Sequence, residues 1–248
     1  GSEMCIRDRT DAKDARVIAD QSRMRGADLP VLRPGDDLIT ELRMLTAHRA
    51  DLVADRTRTI NRLRQQLLAV CPALERVAEL TQDRGWAVLL AHYQRPKAIR
   101  RTGVSRLTKV LAAAGVRNAA TIAAAAVTAA KAQTVRLPGE DVGAGLVAEL
   151  AQGVMNLDER IKHTDADIEE RFRRHPLAEV ITSLPGMGFR LGAEFLAVVG
   201  DPALLESPDQ LAAWAGLAPV SKDSGKRTGR LHTPKRYSRR LRLSLIHI

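Results

Sequence analysis

Two long stretches of the chain repeat apolar residues at intervals of three and four, which is typical of an α-helix with one apolar face. The first stretch runs from about residue 36 to 70, and its apolar positions are Leu38, Leu42, Leu45, Leu52, Leu63 and Leu67. The second runs from 145 to 172, with Leu146, Leu150, Val154, Leu157, Ile161, Ile168 and Phe172. The spacing is heptad-like, although Arg49 and Arg56 interrupt the first row. It predicts an antiparallel coiled-coil arm, a dimerisation bundle, or two helices of a larger bundle.

Shorter helices are predicted at residues 11–25, 84–93, 104–114 and 118–132 from the same periodicity. Proline and glycine mark breaks at 29–35, at 138–139 and at 175–176. Beyond residue 176 the pattern changes, because glycine and proline recur at short intervals before a basic tail. We therefore expect a mostly α-helical protein in three parts, residues 1–35, 36–176 and 177–243.

The composition supports a helical, aliphatic core, since 45% of the residues are hydrophobic and only 3% are aromatic. The net charge of +10 indicates a polyanionic partner, with nucleic acid first and an acidic membrane surface second. Two cysteines, Cys5 and Cys71, cannot form a disulfide framework, and no apolar run is long enough for a membrane span. We expect a cytoplasmic protein without a membrane partner.

The charge is concentrated near the end of the chain. Between Ser221 and Arg242, nine cations face the single acid Asp223, which gives this segment a net charge of +8. Eight of these cations, all except Arg242, are predicted to bind nucleic acid: Lys222, Lys226, Arg227, Arg230, Lys235, Arg236, Arg239 and Arg240.

Two glycines one residue apart, Gly186 and Gly188, stand in the segment LPGMG just before a helical run from Phe189 to Val199. Such a turn is typical of a helix-hairpin-helix, in which glycines bring backbone N–H groups and a helix N-terminus close to a phosphate. An ordinary glycine-rich connection between helices has the same pattern. The adjacent basic tail favours DNA-backbone binding by Gly186 and Gly188.

A second helix start is predicted at Ser207-Pro208-Asp209-Gln210, where serine, proline and glutamine occupy the N-cap, first and third helical positions. We interpret this segment as purely structural. Trp214, at the end of the following run, is predicted to lie in the core.

Two sets of residues could carry chemistry. Ser224 lies on a glycine-containing loop among cations that could stabilise a phosphoryl transition state. Asp11 and Asp14 are three residues apart at a helix start, where their carboxylates could hold Mg²⁺ or Mn²⁺. By themselves, these residues are better explained as a solvent-facing or phosphate-contacting serine, and as a capping and a surface aspartate.

Four segments in order, 184–188, 216–219 (GLAP), 224–226 (SGK) and 239–242 (RRLR), together resemble the Piv/MooV/IS-one-ten family of insertion-sequence transposases. Residues 10–15 and the basic helix at 56–68 are also similar, so the resemblance covers nearly the whole chain from Arg9 to Arg242. It implies a DNA transposase or site-specific recombinase. Residues 1–35 would be a remnant of a ribonuclease-H-like (RuvC-like) acidic domain, 36–176 a coiled-coil linker region, and 177–243 a C-terminal serine transposase domain containing the helix-hairpin-helix.

The resemblance also implies roles for single residues and partners. Ser224 would be the catalytic nucleophile, and Asp11 and Asp14 would be the last two acids of an Asp-Glu-Asp-Asp set that binds Mg²⁺ or Mn²⁺. The partners would be DNA, a guide (bridge) RNA, and further copies of the chain in a homodimer or higher oligomer. The expected location is the bacterial nucleoid.

The sequence departs from the family pattern at its beginning. Only ten residues precede Asp11, too few for the strands that carry the first two acids. We therefore expect an N-terminally truncated chain that is inactive alone but still binds nucleic acid, and we expect residues 1–8 and 244–248 to stand outside the fold.

Two alternatives remain. Arg230, His232 and Tyr237 have the residue types of a tyrosine recombinase, although they are crowded within eight residues. The other alternative is a non-catalytic coiled-coil protein. It would bind nucleic acid through the glycine-containing hairpin and the basic tail.

Overall fold

The computed structural model describes residues 11–25, 37–202, 205, 207–221, 229, 231–234, 237–239 and 241–242. The chain divides into two compact units, residues 1–36 and 37–248. In the first unit the described residues form one helix, α1 (Asp11–Arg25), which confirms the helix predicted there. The apolar side chains of Val17, Ile18 and Met24 are exposed on α1. Its interpretation as a remnant of a ribonuclease-H-like domain stays a prediction.

The second unit is organised around two helices of 34 residues, α2 (Asp37–Val70) and α7 (Glu140–Arg173). At 1.5 Å per residue each is about 50 Å long. They run antiparallel and pack along their whole length, so that Arg171 pairs with Glu41 at one end. At the other end, Gly143 lies against Val70. The intervening helices follow in the order α3 (Pro72–Glu75), α4 (Arg84–His92), α5 (Pro96–Ala113) and α6 (Ala119–Ala132).

The antiparallel pairing of α2 and α7 agrees with two of the three options, a coiled-coil arm and two helices of a larger bundle, and does not decide between them. The buried row of α2, which includes Leu42, Leu52, Leu63 and Leu67, faces the corresponding row of α7 in the same chain. An apolar row that is already buried contributes little free energy to binding a second chain. The heptads therefore no longer argue for a dimer.

Helices α3 to α6 form a lobe at the Val70 end of this hairpin. Their apolar side chains share one core with the second half of α2 and the first half of α7. The alanine-rich helix α6 buries Ala123, Ala126 and Ala130 completely, which allows a close approach between helices. Gly85 of α4 is equally constrained, because a Cβ atom there would lie 2.5 Å from Cδ1 of Ile122.

Helix α5 begins earlier than the sequence pattern predicts. It starts at Pro96 rather than near residue 104, and it contains a kink at Gly103 with φ 73° and ψ 166°. A left-handed φ is readily adopted only by glycine, so Gly103 divides α5 into two straight segments. The second segment corresponds to the helix predicted at 104–114.

At the opposite end of the hairpin, α8 (Ala178–Thr182) and α9 (Phe189–Val199) cover the first half of α2 and the last turns of α7. Phe172 is the largest side chain in this second core and is 1% exposed. Gly192 of α9 lies directly over its ring, where a Cβ atom would be 2.6 Å from Cζ of Phe172. Residues 177–199 thus share one core with the hairpin, to which both contribute buried side chains.

The remaining described elements are α10 (Pro208–Trp214) and two short antiparallel strands, β1 (Val220–Ser221) and β2 (Leu231–His232). Ser207 caps α10 as predicted, since its side chain accepts a hydrogen bond from the backbone N–H of Gln210. The prediction that Trp214 lies in the core is wrong, because its side chain is 44% exposed. The small core beside α10 is instead formed by Val199, Ala215 and Leu241.

No helix in the described parts of the chain is both long enough and apolar enough to span a membrane.

Candidate nucleic-acid interface

The turn between α8 and α9 holds the two predicted glycines in different conformations. Gly186 has φ 79°, a left-handed conformation that L-residues with side chains rarely adopt. Gly188 is the N-cap of α9 in an extended conformation. Met187 between them is 4% exposed and packs into the core that contains Phe172. Gly186 therefore lets the chain reverse while Met187 anchors the turn to the hairpin.

No side chain caps the N-terminus of α9. Its first turn carries Arg190, whose guanidinium lies 5.4 Å from the centre of the Phe189 ring. The N-terminus of a helix carries partial positive charge and free N–H groups. Together with the arginine, this gives the turn the donors that a phosphate group requires. Its assignment as a helix-hairpin-helix remains a prediction.

Asp165 fixes the position of this turn relative to the hairpin. Its carboxylate pairs with Nε of Arg49 on α2 at 2.5 Å and with an Nη of Arg190 on α9 at 2.6 Å. Asp165 itself is only 7% exposed, whereas the Arg190 side chain is 55% exposed. One buried carboxylate on α7 thus connects three helices. Sequence reasoning missed it because its partners are 116 and 25 residues away.

The basic tail is anchored at two described points. Leu241 is fully buried in the core beside α10. Tyr237 packs on Gly216, where a Cβ atom would lie 2.6 Å from its ring, and the guanidinium of Arg242 lies 5.0 Å from the ring centre. Arg239, one of the predicted binding residues, is exposed.

Several predicted site residues lie outside the described residues. They are the nucleophile candidate Ser224 and the cations Lys222, Lys226, Arg227, Arg230, Lys235, Arg236 and Arg240. In the sequence, Ser224 falls between β1 and β2, whose residues Ser221 and Leu231 are paired. Of the three residues of the tyrosine-recombinase alternative, His232 is exposed, Tyr237 is half-buried against Gly216, and Arg230 is also outside the described residues.

Asp11 and Asp14 both stand in the first turn of α1, as the sequence predicts. Asp11 is exposed and Asp14 is half-buried. Carboxylate oxygens are the ligands that Mg²⁺ prefers, so the chemistry of this pair fits the ion. However, within the described ranges no three His, Cys, Asp or Glu side chains are grouped closely enough to hold a metal. The pair can therefore supply part of a metal site.

Both ends of the chain match known families. Residues 4–72 match the DEDD transposase family of IS110, and residues 178–248 match a family described as transposase, IS116/IS110/IS902 family. The matches include residues 4–8 and 244–248, which the sequence pattern had set apart from the fold.

Three proteins of insertion elements are similar over almost the whole chain. The uncharacterized 44.8 kDa protein of IS116 from Streptomyces clavuligerus is 56% identical over 234 residues, which are 94% of this chain and 58% of the relative. The uncharacterized 42 kDa protein of IS900 from Mycobacterium paratuberculosis is 52% identical with the same coverage. The uncharacterized 43.6 kDa protein of IS110 from Streptomyces coelicolor is 36% identical over 96% of this chain and 59% of the relative. The chain thus spans less than two thirds of the length of these relatives.

Proposed function

The chain belongs to the IS116/IS110/IS902 family of transposases, and from this premise we propose that it acts in cutting and rejoining DNA at the ends of an insertion element. The observation that carries the proposal is the order of the two family matches, a DEDD transposase segment at residues 4–72 and a second transposase segment at 178–248. In this proposal, the α2–α7 hairpin connects the two segments.

Ser224 is proposed as the nucleophile. Its Oγ would form a bond to the phosphorus of the scissile phosphate and lose its proton to a base or to water. The bond from phosphorus to the departing deoxyribose oxygen would break, and that oxygen would take up a proton. The product is a phosphoserine ester that a DNA hydroxyl later displaces. Lys222 and Lys226, close in sequence, would stabilise the charge that develops on the phosphate.

Asp11 and Asp14 are proposed as two ligands of a divalent metal, Mg²⁺ or Mn²⁺. The metal, when bound, would stabilise charge on the phosphate oxygens. Two carboxylates can help to hold Mg²⁺ together with phosphate oxygens and water, but the resemblance to the family implies a set of four acids, of which only Asp11 and Asp14 are assigned in this chain. We therefore propose that this chain alone binds nucleic acid but does not complete strand transfer.

The partners follow from the exposed donors. The α8–α9 turn, with Gly186 and Gly188, and the basic tail with Arg239 would hold the DNA backbone without reading base sequence. The resemblance to this transposase family is the ground for two further partners that we propose, a guide RNA that directs target choice and additional copies of the chain in a homodimer or larger assembly.

A cleavage assay tests the nucleophile. The IS116 protein, with Mg²⁺, element-end DNA and the RNA transcribed from the element, is compared with a variant in which the residue aligned with Ser224 is alanine. We expect a covalent protein–DNA species that disappears in this variant and survives in a matched variant that carries phenylalanine at the position aligned with Tyr237. An adduct lost only in the phenylalanine variant would instead support the tyrosine mechanism.

The same assay with the present chain tests the second half of the proposal. We expect nucleic-acid binding but no adduct, with or without Mg²⁺. A metal-dependent adduct formed by this chain would contradict the proposed incomplete metal site, and absence of any nucleic-acid binding would contradict the proposed function itself.

A further inference from the structure

The lobe at the Val70 end of the hairpin contains a stretch without a single acidic residue. From Arg84 to Gly139 the sequence has ten Lys and Arg residues and no Asp or Glu. The chain has 29 acids in 248 residues, so about six or seven would be expected in a stretch of this length. The chain has 39 cations, and the 29 that lie outside this stretch equal its 29 acids in number. The stretch from Arg84 to Gly139 therefore carries a charge equal to the net charge of the whole protein.

Acids from elsewhere neutralise only part of this charge. Arg84 pairs with Glu159 at 3.0 Å, Arg95 with Asp141 at 3.0 Å, and Arg136 with the same Asp141 at 2.6 Å. A fourth cation has a structural role, because Nη1 of Arg100 donates to the backbone carbonyls of Ala130 and Gln133 at the end of α6.

Six cations of the stretch from Arg84 to Gly139 remain without such a partner among the residues that the structure describes. All six are exposed, and they are Lys97, Arg101, Arg106, Lys109, Arg117 and Lys131. The first four lie on α5.

The fold keeps these four side chains in solvent. Helix α5 turns Ile99, Leu107 and Leu111 into the core of the lobe, each no more than 1% exposed. Lys97 and Arg101 are four residues apart before the kink at Gly103, and Arg106 and Lys109 are three residues apart after it. Each pair is therefore separated by about one helical turn. Twelve residues of uninterrupted helix would span about 18 Å, comparable to about five base pairs of duplex DNA.

We propose that the exposed face of α5, formed by Lys97, Arg101, Arg106 and Lys109, binds the phosphodiester backbone of a nucleic-acid strand. This site is separate from the α8–α9 turn and the basic tail. In the sequence, it lies between the two segments that match transposase families. The inference rests on the proposed function and extends it.

The chemistry of the face favours a nucleic acid over a protein partner. Its only large exposed apolar residue is Val104, at 40%, and protein interfaces are usually centred on apolar or aromatic side chains. Regularly spaced cations without apolar neighbours suit a regularly charged polymer. No aromatic side chain is exposed on α5 for base stacking, so recognition of the backbone is the expected mode.

The test measures the salt dependence of binding by fluorescence anisotropy, with a labelled DNA duplex and a labelled RNA hairpin of about 30 base pairs each. In the test variant all four cations are replaced, as Lys97→Gln, Arg101→Gln, Arg106→Gln and Lys109→Gln. The matched control removes the same charge at four exposed arginines that are ion-paired with neighbouring acids, as Arg23→Gln, Arg58→Gln, Arg173→Gln and Arg174→Gln.

Each phosphate contact contributes about 0.9 to the slope of log K against log salt on duplex DNA, so up to about 3.6 units should be lost in the test variant. We expect at least a tenfold loss of affinity near 0.1 M salt, and less than about a threefold loss in the control. A double variant, Arg101→Lys with Arg106→Lys, should bind like the wild type because the charge is kept. The probe, DNA or RNA, for which the test variant loses more affinity is the nucleic acid that this face binds.

Equal losses in the test and control variants would overturn the inference. So would a loss of binding to vesicles of anionic lipid without a loss on either nucleic acid, which would make α5 a membrane-binding face. If the chain binds neither probe, the proposed function fails as well. If Arg239→Gln in the tail weakens binding while the α5 variant does not, only the inference fails.

Discussion

Replacing Asp165 with alanine is predicted to lower the free energy of unfolding by more than the loss of an exposed ion pair would. The change leaves Arg49 without its carboxylate partner at a site where its side chain is 21% exposed. It also releases Arg190, whose side chain is 55% exposed and can regain water. The two arginines therefore contribute unequally to the loss.

The magnitude follows from this difference in exposure. Breaking a fully buried ion pair costs about 3–5 kcal/mol, because one charge stays buried without a partner. The Arg190 pair is screened by solvent and should contribute at most about 1 kcal/mol. For Asp165→Ala we expect a loss of about 2–3 kcal/mol in the free energy of unfolding, and a Tm lower by roughly 5–10 °C.

Urea unfolding followed by circular dichroism measures the loss. The matched control is Asp55→Ala, which removes an exposed carboxylate from α2 that pairs with Arg58. It should cost less than about 0.5 kcal/mol. A double-mutant cycle of Arg49→Ala and Asp165→Ala should give a coupling energy of about 1–2 kcal/mol, because the two groups are in direct contact.

The reasoning is refuted if Asp165→Ala costs no more than Asp55→Ala. A coupling energy near zero between Arg49 and Asp165 would also refute it, even with a large loss, since the loss would then arise from Asp165 alone.

Three further predictions concern single sites. Gly192→Ala would place a Cβ atom 2.6 Å from an aromatic carbon and should cost about 1–3 kcal/mol in chemical unfolding, whereas Gly145→Ala, a helical glycine with open space around it, should be neutral or stabilising. Gly186→Ala should cost about 1–2 kcal/mol, because its φ of 79° is left-handed, and a thermal melt unchanged from the wild type would contradict this. Burial raises the pKa of the Cys71 thiol, so in a Cys5→Ser background a thiol reagent should label Cys71 only as fast as the protein opens. The stability that this thiol contributes is complete below the ordinary thiol pKa and is lost as pH rises above it, because the unfolded thiol ionises first. The free energy of unfolding should therefore fall less between neutral and alkaline pH in Cys71→Ala than in the wild type.

The long helices could be predicted closely from the sequence. Their leucine and isoleucine spacing gave bounds within about five residues of α2 and α7, because an apolar row of this length has few other ways to be buried. The capping of α10 was also predicted from local chemistry, since Ser207 and Gln210 are close in sequence.

Features that depend on distant contacts could not be predicted in this way. Trp214, at the end of the run that follows Ser207, was assigned to the core, yet the seven-residue helix α10 buries none of its side chains and leaves this ring half in solvent. The start of α5 was missed because Gly103 interrupts the helical pattern. The role of Asp165 needs two partners from other helices, which no local pattern reveals.

The candidate site was predicted only in part. Gly186 and Gly188 form the predicted turn, and Asp11 and Asp14 share the first turn of α1. The cationic face of α5 could not be recognised from cation density, because its cations are more widely spaced than those of the tail. The absence of acids from 84 to 139 would have identified it.

The antiparallel hairpin also sets the order in which the chain can fold. Contact between Val70 and Gly143 encloses about 70 residues, whereas contact between Glu41 and Arg171 encloses 130. Closing a loop costs conformational entropy that grows with its length, so the inner contacts form at lower cost once the lobe of α3–α6 has drawn their ends together. The hairpin should then close progressively from the lobe outwards, as a zipper does. The core that supports α9 forms last, so a chain that stalls during synthesis or refolding would have its lobe in place before its C-terminal segment.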